Sequence, residues 1–86
     1  VLRSEQRLAA FLVNMSQRLS ILGYSSSEFI LRMSREEIGN YLGLTLETVS
    51  RLFSRFAREN LIRIHQREVK LLDLPALRDL AGTDCG

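Results

Sequence analysis

Glu47, Ser50 and Arg51 are the residues whose types and spacing point most directly to chemistry. Offsets of three and four from Glu47 place all three on one face of a helix. A guanidinium fork matches the O6 and N7 acceptors of guanine, and a carboxylate accepts from the N4 amine of cytosine. A serine hydroxyl can bond to either edge, and its shortness lets the helix lie close to the bases. Each good pair contributes about 1–3 kcal/mol of discrimination between bases. The bland alternative is a surface ion pair between Glu47 and Arg51 at i, i+4. Around these three stand groups suited to phosphate. Ser34, Thr45 and Thr48 fall at helix N-termini, where amides and hydroxyls favour anions. Arg35, Ser54, Arg55, His65 and Arg67 flank them as backbone contacts. His65, the lone histidine, has no Ser, Cys or carboxylate cluster at triad or ligand spacing and reads by itself as a hairpin-tip residue. No nucleophile–base pair, metal cluster or phosphate loop is present, so the chain is not read as an enzyme and needs no cofactor of its own.

Such side chains need a frame that presents one helix to a groove. Ser34-x-x-Glu37 is a capping box that opens a short helix over 35–42, expected to bury Ile38, Tyr41 and Leu42. Gly39 leaves room for another helix to approach, and Gly43 ends the helix. Thr45 caps the next helix, 46–60, through the amide of Thr48, and Asn60 is its expected C-cap. Val49, Leu52, Phe53, Phe56 and Ala57 share one face of it. Glu47, Ser50, Arg51, Ser54 and Arg58 share the other, with Arg55 at the edge. Phe53 and Phe56 therefore read as core rather than as a stacking platform. Two short helices joined by a tight turn make a helix-turn-helix.

The flanks complete the unit. Leu8, Phe11, Leu12, Met15, Leu19 and Leu22 form a helical stripe over 5–22, with Ser4 as N-cap and Gly23 as stop. Residues 24–27 are loop in composition, and 29–33 reads as a strand. Alternation in Leu61-Ile62-Arg63-Ile64 and Val69-Lys70-Leu71 predicts a hairpin over 62–72, a wing, although its tip lacks Asn-Gly or Asp-Gly. A terminal helix over 75–81 stops at Gly82, and 83–86 are expected to fray. The fold class is mainly α with a small β component, a winged helix-turn-helix.

Composition sets the outer limits. Eighty-six residues, 45% of them hydrophobic, suit one domain with a real core. No run of about 18 apolar residues marks a membrane span, and no secretory signal is visible. A start at Val1 is expected of a piece cut from a longer protein. The net charge of +2 is weak, but its placement is informative. Between Thr45 and Arg67, Arg51, Arg55, Arg58, Arg63 and Arg67 face only Glu47 and Glu59, whereas the end from Pro75 has Arg78 against Asp79 and Asp84. A basic centre beside an acidic end suits a surface that meets phosphates. Cys85 has no second cysteine and reads as an inert tail thiol, consistent with a reducing, cytoplasmic setting.

The run Met33-Ser34-Arg35-x-x-Ile38-Gly39-x-Tyr41-Leu42-Gly43-x-Thr45-x-x-Thr48-x-Ser50-Arg51-x-Phe53-x-x-Phe56 resembles the helix-turn-helix signature of the cAMP receptor protein/FNR superfamily of bacterial transcription regulators. The similarity extends over about 5–81. Arg7-Leu8-Ala9-Ala10-Phe11-Leu12 and the segment 38–44 look like the FNR/ANR branch, the anaerobic regulators. The resemblance implies double-stranded DNA as partner and TTGAT-like half-sites of a palindrome. Glu47 and Arg51 would read the shared GA/TC core and Ser50 would tune the outer base pair. Phosphate contacts carry over to Ser34, Arg35, Thr45, Thr48, Ser54 and His65. The cAMP receptor branch, which prefers TGTGA-type sites, typically has Arg at the position of Leu46 and Gly at that of Ser50. Gln66 departs from the family's common Gly and leaves the wing geometry open. The resemblance further implies an N-terminal sensor and a dimerisation helix, absent from this chain, with any oxygen-labile iron–sulfur cluster held on the sensor. It implies a homodimer in the full-length protein, a monomer or weak dimer for this piece, and a surface over 21–29 that touches RNA polymerase. Two alternatives stay open: a winged-helix module used for protein–protein contact, and a cAMP-receptor-type domain with a different half-site.

Overall fold

The computed structural model describes residues 3–82, so Cys85 and the fraying expected of 83–86 lie outside it. The first helix, α1, spans Ser4–Ile21. Its N-cap is Arg3 rather than Ser4, because the Gln6 side chain reaches back to accept from the Arg3 amide at 2.8 Å. The buried face is Leu8, Ala9, Phe11, Leu12, Val13 and Ser16, wider than a single stripe and turned from it, so that α1 can serve two neighbours. At the far end of the predicted stripe Leu22 is 68% exposed.

Three strands follow in the order β1-β3-β2, all antiparallel: β1 (Glu28–Ile30), β2 (Ile62–His65) and β3 (Glu68–Leu71). The spacing predicts a strand over 29–33, but β1 stops at Ile30. Its partner is Glu68, the first residue of β3, so the neighbour simply runs out. The Leu31 amide still donates to the Arg67 carbonyl at 2.7 Å, tying the wing tip to the chain entering α2.

Helix α2 is Arg35–Leu42 and α3 is Leu46–Arg58. The C-cap of α3 is Glu59, not Asn60. Asn60 is the next residue, with φ +60°, a region that asparagine tolerates better than most. Its amide donates to Ala57 and that of Leu61 to Phe56, which closes a Schellman motif. Tyr41 is a second departure. It is exposed, and its ring lies tilted 6.0 Å from that of Phe11, because Ile38 and Gly39 already fill the buried side of α2. The last helix, α4 (Leu74–Ala81), is capped by Asp73, which accepts from the Ala76 amide, and it packs Leu77 and Ala81 into the core. Leu8, Leu12, Ile38, Val49, Phe53, Phe56, Ile62, Val69 and Leu77 are shut off from solvent at the centre. Among the described residues no helix is long and apolar enough to cross a membrane.

Candidate nucleic-acid interface

The turn between α2 and α3 is built on two glycines. Gly43 adopts φ +74° and lets the Leu44 amide donate to the Gly39 carbonyl at 2.7 Å. Gly39 is needed for a different reason. A Cβ there would stand 2.6 Å from the Leu44 carbonyl oxygen, so what approaches Gly39 is the turn's own backbone, not another helix. From α1, Arg7 donates to the Leu42 carbonyl at 3.1 Å and places a cation at the negative end of α2. Nothing in linear spacing hints at this contact, since its two residues are far apart in the chain.

Beyond the turn, α3 is sharply two-faced. Val49, Leu52, Phe53 and Phe56 are buried; Glu47, Arg51 and Ser54 are exposed and Ser50 is half-buried. Among the described residues neither Glu47 nor Arg51 enters an ion pair, so both present free polar groups outward. Arg55 differs. Its Nε is 3.1 Å from Glu59 and a terminal nitrogen is 4.0 Å from Glu5, which draws it toward α1.

The phosphate-type residues gather at helix starts. Ser34 accepts from the Glu37 amide at 3.1 Å while the Glu37 carboxylate accepts from the Ser34 amide at 2.9 Å. The bond from the Ser34 amide, then that from its hydroxyl, hold the Glu37 carboxyl below the usual range, and the nearby Arg67 cation adds to this. The Leu31–Arg67 backbone bond keeps the wing tip near the chain that enters α2. Thr45 Oγ1 accepts from the Thr48 amide at 3.1 Å and donates to Thr48 Oγ1 at 2.9 Å, which leaves the Thr48 hydroxyl hydrogen free to point elsewhere. His65, Gln66 and Arg67 are exposed at the hairpin tip. Register leaves Gln66 and Arg67 as the loop, and Gln66 alone takes φ +56°, as the first loop residue of a type II′ turn does. Arg35 is half-buried, with its guanidinium carbon 5.0 Å from the centre of the Phe53 ring. Phe53 thus has a polar neighbour that its place on the apolar face of α3 does not announce. Among the described residues no three His, Cys, Asp or Glu side chains gather at metal-binding distance.

Comparison with known proteins agrees with this geometry. Residues 6–80 match the model of the Crp-like helix-turn-helix domain. The chain is 77% identical over 96% of its length to the transcriptional regulatory protein btr of Bordetella pertussis. It is 51% identical over 92% of its length to the transcriptional activator protein FnrA of Stutzerimonas stutzeri. It spans about a third of the length of these relatives, 34% and 32%. Among solved structures FixK2 from Bradyrhizobium japonicum superimposes with a TM-score of 0.81 at 37% identity, covering 91% of this chain and 38% of that one.

Proposed function

The chain belongs to the Crp/FNR family of transcription regulators, as its DNA-binding helix-turn-helix domain, and from that premise we propose that α3 lies in the major groove and reads TTGAT-like half-sites of a palindrome. The observation that carries the reading is the outer face of α3, where Arg51 and Glu47 project without ion-pair partners beside the short Ser50. Arg51 bonds to guanine O6 and N7, Glu47 accepts from cytosine N4, and Ser50 tunes the outer pair. Ser34, Arg35, Thr45, Thr48 and Ser54 hold phosphates from the helix-turn-helix, His65 and Arg67 from the wing tip. Arg55 joins them only by giving up Glu59 and Glu5.

The full-length protein works in the cytoplasm as a dimer whose two domains meet half-sites about 34 Å apart. A single domain forgoes the gain from tethering, on the order of 10²–10⁴. Any iron–sulfur cluster belongs to the sensor region that the likeness to FNR-type regulators implies for the full-length protein. The segment 21–29, from the end of α1 into β1, with Ile21, Leu22 and Tyr24 exposed, supplies an apolar surface for RNA polymerase.

Fluorescence anisotropy at low salt tests the assignment, with a TTGAT–N4–ATCAA duplex against TGTGA-type and scrambled competitors. The expected result is preference for the first, lost in Arg51→Ala with weak, salt-sensitive binding retained. Equal binding of all three by the parent chain rejects the half-site. Binding that ignores salt, or none at high micromolar protein, rejects the groove and favours a protein-contact face.

A further inference from the structure

Arg35 sits where a cation is out of place. It is the first residue of α2, at the positive end of the helix dipole, where anions are favoured and cations are not. The acidic residues that follow do not compensate it. The Glu37 carboxylate is bound to the Ser34 amide, and among the described residues no carboxylate pairs with Arg35. Its Nε is buried with no hydrogen-bond partner. What does meet the guanidinium is a ring: Cζ stands 5.0 Å from the centroid of Phe53. That ring is 1% exposed and fixed among the core residues of α3. A buried ring cannot shift to follow a side chain, so the side chain is held to the ring.

We propose that Phe53 is a positioning residue for DNA: its core-anchored ring carries the Arg35 guanidinium and holds it as an unneutralised cation at the start of α2, aimed at a phosphate. This rests on the reading of Arg35 as a phosphate contact. The ring sets which way the fork faces, and the cost of ordering a long side chain is met when the protein folds rather than when it binds DNA. Phe53 therefore serves both the core, in which it is buried, and the phosphate frame, through the guanidinium over its ring.

Salt titrations of the 86-residue chain on a scrambled duplex, where base readout plays no part, test the idea with Arg35→Ala, Phe53→Leu and the double variant. Arg35→Ala is expected to reduce the slope of log K against log salt by about 0.9, one phosphate. Phe53→Leu is expected to weaken binding roughly two- to fivefold, the size of an exposed cation–π contact. The double variant should bind no more weakly than Arg35→Ala alone. Independent, multiplying effects would make Phe53 a core residue only and overturn the proposal while leaving the phosphate contact standing. An unchanged slope in Arg35→Ala would remove the phosphate contact and the proposal with it. Should Phe53→Leu fold poorly, the free parent chain gives a second readout. Its Arg35 Hε resonance should be shifted upfield of the other arginines by the ring, and a position among them would overturn the stacking.

Discussion

The α2–turn–α3 unit and the wing are held in opposite ways. Apart from the bond that Arg7 of α1 gives the Leu42 carbonyl, the joints of the first are closed by near neighbours: Ser34 with Glu37, Gly39 with Leu44, Thr45 with Thr48, and Phe56 and Ala57 with Leu61 and Asn60. The wing adds to its own β2–β3 pairing a set of contacts from far along the chain. The Leu31 amide bonds to the Arg67 carbonyl and the Leu71 amide to the Ser27 carbonyl, and β1 borders β3 across almost half of the sequence. Its tip even runs against local preference, with a glutamine at positive φ. The helix-turn-helix thus carries most of its geometry in its own residues, while the wing borrows part of its geometry from the rest.

Breaking the local joint should have the largest effect. Gly39→Ala would gain about 1 kcal/mol in a free helix. Here its Cβ meets the Leu44 carbonyl, so a net loss of about 2 kcal/mol is expected from urea unfolding, within the usual range for overpacking. Parent-like stability would mean that the turn yields and the unit is less rigid than described. A smaller change of opposite sign sharpens the contrast at the wing. Gln66→Gly relieves the left-handed backbone and should raise stability by about 0.5–1 kcal/mol, read as a higher melting temperature. No gain would show that the tip is relaxed. Smallest of all is the effect of pH on the capping box. Because the folded protein lowers the Glu37 pKa, its contribution is whole above the unfolded value of 4.5 and fades as pH falls below it. The stability difference between parent and Glu37→Gln should therefore shrink on acidification from pH 6 to pH 3; a constant difference would mean the charge is irrelevant.

The same division explains what could be read from the amino acids. Caps and glycines act within a few residues, so α2, the turn and the two faces of α3 are legible in Ser34, Glu37, Gly43 and Thr45. Tyr41, Arg7 and Arg35 are not, because what each meets is chosen by packing. Periodicity treats Tyr41 as core, although the side of α2 turned inward is that of Ile38 and Gly39. Spacing shows that Arg35 is near a helix start but not that a ring from α3 lies under it. The strand over 28–30 ends early for the same kind of reason: its length is decided by where β3 begins.

Helices α1 and α4 form the most extensive contact between elements, and a Cβ on Gly82 would touch the Gln6 side chain. During synthesis α1 leaves the ribosome before α4 does, and the part of its buried side that faces α4 stays uncovered until Leu77 and Ala81 emerge to meet it. The domain therefore closes late and as a whole, and a nascent chain stalled before α4 would expose Leu8, Leu12 and Val13 to any chaperone that binds apolar segments.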